Sequence, residues 1–302
     1  MQLPIPRIQK KYLNDFGAFI LCHGRPENVP TYDTLRRYGY TGKIYIICDD
    51  EDKELDNYKL VYGEDKVQVF SKDEAVKLFD TMDNTGDRRC AVYARNACYP
   101  IAKKLGLKYF CQLDDDYISL PYRYVEEDTL YRSRGANLDD VIEAHIEFME
   151  TNDNIYSVAF AQAGDLIGGT GSRLVQAKYR RKCMNSWICK TDRVLQFNGT
   201  MNDDVNTYTL GGFRGKLFFT FPFVMVDQPE TQQVEGGMTD MYLGSGTYQK
   251  SFYTVLQCPS FVKVGMMGDR YYRLHHKIEW ENACPMIVSS KYKKKKGDSE
   301  DE

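Results

Sequence analysis

Asp114, Asp115 and Asp116 follow the apolar run Lys108-Tyr109-Phe110-Cys111-Gln112-Leu113 without a break. Three carboxylates at a strand end repel one another and cost stability, so their use is to hold a cation that another group needs. Alternate residues of an extended segment point the same way, which lets Asp114 and Asp116 share one ion while Asp115 turns aside or meets a ribose hydroxyl. Mg2+ or Mn2+ suits such a pair, because a hard octahedral ion takes one or two carboxylates and keeps positions open for phosphate oxygens. A diphosphate is the natural companion, since the ion offsets the charge that builds as it departs. The plainer alternative is an exposed acidic turn.

Other candidates punctuate the chain at similar places. His23-Gly24-Arg25 closes the run Phe16–Cys22, and Asp49-Asp50-Glu51-Asp52 closes Lys43–Cys48. Arg95 and Asn96 lie on a helical stretch just before the triple Asp. Further on come the acidic knot Asn202-Asp203-Asp204, a glycine-rich loop with Gly236 and Gly237 ahead of Asp240, and the pair His275-His276. Glycines there allow a close backbone approach to a ligand, or simply a turn. Asn202-Asp203-Asp204 also reads as an Asx-type cap ahead of Val205. Neighbouring histidines on one strand face opposite ways, so at most one of His275 and His276 meets an ion. His145, on an amphipathic helix, reads as structural.

The elements that must position these residues follow from periodicity. Residues 16–23 form a buried strand, Thr31–Tyr40 a helix with Thr31 as a candidate cap and Gly39 near its end, and Lys43–Cys48 a second strand. Val67–Phe70 is a third strand, followed by helices over Ser71–Met82 and Arg89–Leu105 and then by the strand carrying the triple Asp. Strand, helix and strand with acids at the carboxyl end is the layout of a parallel nucleotide-binding sheet, where ligands sit beyond the strand ends. Leu138–Glu150 reads as an amphipathic helix, Ile155–Phe160, Ser186–Cys189 and Leu217–Val226 as strands. The expected fold is α/β, a Rossmann-like mixed, mostly parallel sheet flanked by helices, with substrate-side elaborations in the C-terminal half. A single domain over 1–290 divides into a nucleotide-binding half (16–120) and a substrate half (121–290), and 291–302 reads as a disordered charged tail.

At 302 residues, with 42% hydrophobic and 27% charged residues, the composition is that of an ordinary globular protein. There is no run of ~18 apolar residues and no signal-peptide core at Met1–Arg7, which predicts a cytoplasmic protein with no membrane partner. Nine cysteines without a Cys-x-x-Cys pair read as reduced core thiols. A net charge of −3 argues against a protein that coats nucleic acid generally. The charge is uneven, however: Arg173–Arg193 holds seven Lys/Arg against one Asp.

His23-Gly24-Arg25, Asp49-Asp50, Ala94-Arg95-Asn96 and Asp114-Asp115-Asp116, in that order on strand, strand, helix and strand, resemble a GT-A fold nucleotide-sugar glycosyltransferase. Within that fold the chain most resembles the TET-associated glycosyltransferases of bacteriophage DNA-hypermodification systems, which add sugars to oxidised pyrimidine bases. The resemblance implies that Asp49 or Asp50 holds the uracil or ribose of a UDP-sugar, that His23, Arg25 and Arg95 lie near the nucleotide, and that Asp114 and Asp116 bind Mn2+ or Mg2+. It further implies a base at Asp204 or Asp203 that deprotonates the acceptor hydroxyl with inversion, and a histidine, His276 or His275, as an added metal or diphosphate ligand. UDP-glucose is the default donor and a UDP-pentose such as UDP-arabinose the variant. No obligate protein partner is evident, and for a phage-encoded enzyme the location is the host cytoplasm.

The basic stretch is where an acceptor enters. Lys178, Arg180, Arg181 and Lys182 can meet phosphates, and Trp187 can stack on a displaced base. Together with the resemblance this points to hydroxymethylated double-stranded DNA, with the sugar going to 5-hydroxymethylcytosine, whose C5 substituent is exposed in the major groove. The alternatives are a protein or glycan acceptor, or a catalytically silent DNA-binding relative. A nucleotidyltransferase fits less well, because His23-Gly24-Arg25-Pro26 lacks the glycine-rich, lysine-bearing loop such enzymes carry after the first strand.

Overall fold

The computed structural model describes residues 10–84, 86–127, 129–135, 137–166, 168–176, 182–228, 249–267 and 272–283. Its strands are β1 Phe16–Leu21, β2 Lys43–Asp49, β3 Val67–Phe70, β4 Tyr109–Asp114, β5 Tyr122–Glu126, β6 Thr129–Ser133, β7 Ile155–Ala161, β8 Ser186–Lys190, β9 Leu217–Met225, β10 Val262–Met267 and β11 Arg273–Ile278. The helices are α1 Pro30–Arg37, α2 Leu55–Tyr62, α3 Lys72–Ala75, α4 Val92–Lys104, α5 Leu138–Glu150, α6 Arg173–Gln176, α7 Asp203–Phe213, α8 over 249–257 and α9 Trp280–Ala283.

Strands β1 to β9 form one sheet in the order β3-β2-β1-β4-β8-β7-β9-β5-β6, and β10 pairs with β11 separately. Neighbours β3, β2, β1 and β4 are parallel, β7 and β9 are parallel, and the remaining pairings are antiparallel. Followed across the sheet, only β8 and β5 run against the other strands. The mixed, mostly parallel GT-A-like α/β sheet expected from the sequence is therefore the one found.

The sequence dictates this arrangement most directly at β1. All six of its residues are buried, as a central parallel strand covered on both faces requires. Period-two alternation sends Phe16, Ala18 and Ile20 to one face, where α1, α2 and α5 supply Leu35, Tyr58, Ile142 and Ile146. Phe19 and Leu21 face the other way, against Val92, Ala97, Cys98 and Ile101 of α4 and Val205 of α7. Gly17 has no room for a larger residue, since a Cβ there would come within 2.7 Å of Leu107 Cδ1.

Several boundaries differ from the periodicity. The helix expected over 71–82 shrinks to α3 and a 3-10 turn at Val76–Leu78, because the chain becomes extended at Phe79. Helix α1 begins at Pro30, a residue preorganised for a first turn, so Thr31 is inside the helix rather than its cap. Gly39, at φ 86°, ends it as expected. The eight cysteines among the described residues are all free thiols, seven of them buried. Among the described residues no helix is long and apolar enough to cross a membrane.

Candidate active site

Parallel pairing places the functional candidates along one edge of the sheet. Leu21 lies level with Asp114, and Asp49 with Phe70, so the carboxyl ends of β1, β2, β3 and β4 finish side by side. His23 Nδ1 lies 2.8 Å from Asp49 Oδ2, and Asp49 Oδ1 is 3.0 Å from the buried Lys72 ammonium. The Asp49 bond outweighs burial and raises the His23 pKa above its ordinary value. Burial works to raise Asp49 in turn, but the bonds from His23 and Lys72 prevail and hold it low. Asp52 accepts the Gly24 amide at 2.8 Å, and the Lys72 amide donates to Asp50 at 3.0 Å.

At β4 the three carboxylates go separate ways. Asp115 is buried, with both oxygens held by Arg25 Nη2 at 2.7 and 2.9 Å. Burial still raises its pKa to about 6, against Arg25 and with Asp116 adding to the rise. Asp114 rises to about 7 through burial and the repulsion of Asp116, Asp115 and Asp203, which together outweigh Arg95. Asp116 is also raised by burial, and its Oδ1 is buried with no hydrogen-bond partner. Excess negative charge and an orphaned carboxylate oxygen are what a divalent ion would relieve. Asp114 and Asp116 thus fit the ion the sequence suggests. Among the described residues no group of three or more His, Cys, Asp or Glu lies at metal-coordinating spacing, so two carboxylates would need phosphate or water oxygens to complete a shell.

Arg95, expected beside the nucleotide, is only 3% exposed and lies between two carboxylates. Its Nη2 is 3.3 Å from Asp114 Oδ1 and its Nε 2.8 Å from Asp203 Oδ2. Burial opposes the charge, but Asp203, Asp114 and Asp204 keep the guanidinium firmly protonated. Asn96, the next residue, bonds across the interior to both the carbonyl and the amide of Phe197.

Asp203 and Asp204 open α7, yet no Asx cap forms. Asn202 takes a left-handed φ of 54° and donates instead to the Lys250 carbonyl at 2.7 Å, with His276 Nδ1 at 3.4 Å. Asp204 rises to about 6 through burial and repulsion from Asp203, with Arg95 opposing. His275 and His276 do not diverge as alternation predicts: their rings lie 4.1 Å apart. Both are pushed below the ordinary histidine value, His276 to about 3 by burial, His275 and Lys250. Acidic turn, Arg95, the α7 start and His276 therefore form a linked series.

A sequence model of the TET-associated glycosyltransferase family matches residues 16–237. The chain belongs to that family. No curated protein sequence matches the glycosyltransferase. Among solved structures it is similar to the glucosyl-3-phosphoglycerate synthase of Mycobacterium tuberculosis in complex with Mg2+ and uridine diphosphate, at 9% identity over 87% of each chain and a TM-score of 0.46. It is also similar to a mannosyltransferase of Pyrobaculum calidifontis in complex with GDP-Man and Mn2+, at 11% identity over 74% of this chain and 59% of that one, with a TM-score of 0.47.

The acceptor candidates fare differently in the glycosyltransferase. Trp187 is not a stacking platform: it is fully buried in β8, edge-on to Phe197 and Phe218 at centroid distances of 4.9 and 6.0 Å. Its place on a strand paired on both sides explains this, because one face must pack against α4 and α7. Lys182 is mostly buried and ion-paired with Asp165 rather than displayed to a phosphate. Lys178, Arg180, Arg181, Gly236 and Gly237 lie outside the described residues.

Sequence reasoning misses Lys72, Thr31 and Tyr117. Lys72 sits in a stretch that reads only as a helix, although it closely follows a strand end. Thr31 has the residue type of a cap, but its hydroxyl donates to the Asp114 carbonyl at 2.7 Å and accepts the Tyr117 amide at 2.8 Å. Tyr117 folds back so that its hydroxyl accepts the Asp114 amide at 3.2 Å and donates to the Asn185 carbonyl.

Proposed function

We propose that the glycosyltransferase moves a sugar from a UDP-sugar to the hydroxyl of 5-hydroxymethylcytosine in phage DNA, with Mn2+ or Mg2+ and inversion at the anomeric carbon. The observation that carries the donor side is the Asp114–Asp116 turn, where an orphaned Asp116 oxygen and a raised Asp114 carboxyl sit at the edge where four parallel strands end. Asp114 and Asp116 hold the ion, whose chemistry is to offset charge on the departing diphosphate. Arg25 fixes Asp115 and with it the turn. Asp50, exposed at the same edge, is better placed than the buried Asp49 to meet ribose or base.

Asp203 is committed to Arg95, which leaves Asp204 to take the proton of the acceptor hydroxyl. The acceptor oxygen then bonds to the anomeric carbon as its bond to the diphosphate breaks on the opposite face, which inverts that carbon. Membership of the TET-associated family supports DNA as acceptor, as does the basic segment leading into β8.

The test is mass spectrometry of nucleosides from hydroxymethylated DNA incubated with protein, Mn2+ and a panel of nucleotide sugars. A hexosyl or pentosyl adduct on 5-hydroxymethylcytosine is expected, and its formation should fall steeply with salt as phosphate contacts release counterions. Unmodified DNA with every donor, alongside Mn2+-dependent hydrolysis of one of them, would overturn the DNA acceptor in favour of a protein or glycan.

A further inference from the structure

The Asp114–Tyr117 neighbourhood poses a mechanical problem, because three adjacent carboxylates push apart whenever no cation lies between them. Their main chain is nevertheless tied down from outside the turn. Thr31, fully buried in the first turn of α1, makes three bonds to it: its hydroxyl donates to the Asp114 carbonyl at 2.7 Å, the same oxygen accepts the Tyr117 amide at 2.8 Å, and its own amide donates to the Asp115 carbonyl at 3.2 Å. One turn later, Thr34 donates to the Tyr117 carbonyl at 2.9 Å. The bonds reach carbonyls on both sides of Asp116 and the amide that follows it, yet neither threonine bonds to a carboxylate.

We propose that the Thr31 hydroxyl is a positioning residue that presets the Asp114–Asp116 turn for a divalent ion and the diphosphate it carries. The inference rests on the donor reading above and adds a residue of α1 to it. A hydroxyl suits the position because it donates and accepts at once, spanning the turn from residue 114 to residue 117. Serine can do the same. Valine fills the same volume, leaves the Asp114 carbonyl and the Tyr117 amide unpaired, and lets the carboxylates relax away from the geometry an ion needs. Partners that orient metal ligands typically change metal affinity by roughly 10–100-fold when removed, and an effect in that range is expected here.

The experiment measures Mn2+ binding in the presence of UDP, by the loss of the free-ion paramagnetic resonance signal and by calorimetry, for the wild-type protein, Thr31→Val and Thr31→Ser. The expected result is roughly 10–100-fold weaker Mn2+ uptake by the valine variant, near-complete recovery in the serine variant, and unchanged weak binding of UDP without metal. In donor hydrolysis the metal half-saturation and KM should rise more than kcat falls. Mn2+ uptake by a folded Thr31→Val protein equal to wild type overturns the role of Thr31. If the valine variant does not fold, Thr31→Ala is measured in its place against the same criterion, with Thr31→Ser as the comparison. A wild-type protein that takes up neither Mn2+ nor UDP overturns the donor reading itself, and this inference with it; equal uptake by wild type and variant leaves that reading intact.

Discussion

Strands β1 to β4 all point one way and end among charged side chains that other residues hold in place: His23 by Asp49, Asp49 by Lys72, Asp115 by Arg25. Strands β7 and β9 reach the same edge but end at Ala161 and Met225, both fully buried. Across that divide the candidate residues move off the nine-stranded sheet, to the start of α7 and to β11 of the separate two-stranded sheet. On the donor side, strand order alone fixes where the polar groups go. In the C-terminal half the large sheet supplies a floor, and α7 and the separate β10–β11 pair must bring the candidate groups to it.

The largest test of this contrast removes the donor side's orphaned carboxylate. Asp116→Ala should lower Mn2+-dependent UDP-sugar hydrolysis by at least about a thousandfold, as loss of a metal's charge stabilisation implies. Its thermal unfolding should change little or improve, because the substitution relieves repulsion. A variant with near-wild-type hydrolysis would remove the acidic turn from the chemistry.

Next comes the link between the halves. Arg95→Met leaves Asp114 and Asp203 partly buried without their shared cation and should cost about 3 kcal/mol in chemical denaturation. A loss under about 1 kcal/mol would mean that the two carboxylates escape to solvent, and that Arg95 does not couple the sides.

The halves should also respond to acid in opposite senses. His145, buried against Phe160 and Phe221 with its Nδ1 bonded to the Val141 carbonyl, has its pKa lowered to about 4 by burial. The unfolded chain, near pKa ~6.5, takes up this proton first as pH falls, so the stability from this residue declines from about pH 6.5 downward and levels off near pH 4. By pH 5 the loss amounts to about 2 kcal/mol relative to pH 7. His23, with a raised pKa, contributes in reverse: its pairing with Asp49 is fully present below its unfolded value and is lost as pH rises through the folded one. Denaturation of His145→Gln and His23→Gln at pH 5 and 7 separates the two, and like signs would show that the pairings assigned to them do not act.

The smallest expected effect is on DNA. Trp187→Phe should destabilise the core by about 1 kcal/mol or more while leaving DNA affinity unchanged, because the indole is inside. Weaker DNA binding by a fully folded variant would return Trp187 to the acceptor surface.

What can be read from the sequence follows the same divide. A continuous apolar run such as Phe16–Leu21 allows little besides a doubly covered strand, and acids at its neighbours' ends mark the binding edge without any knowledge of packing. Trp187 misleads because a single aromatic among cations looks the same whether its strand is central or exposed. Only the pairing of β8 with both β4 and β7 decides that. Thr31, Lys72 and Arg95 act through partners 83, 23 and 19 residues away in sequence respectively, at Asp114, Asp49 and Asp114. Such contacts leave no local periodicity, so residue type and spacing can name Arg95 but not what it holds.

The place of β4 between β1 and β8 also bears on how the chain can be divided. A fragment ending near residue 120 would keep the complete acidic turn, yet its last strand would lose its β8 neighbour and become an open edge bearing Phe110 and Leu113. The same cut removes α5, whose Ile142, Ile146 and Met149 belong to the core on one face of the sheet. Uncovered, edge-exposed strands of this kind pair with one another between molecules. The residues that resemble a self-sufficient nucleotide-binding unit are thus inseparable from the half that follows them, and an attempt to graft the donor edge alone onto another protein would yield aggregate rather than a sugar-nucleotide module.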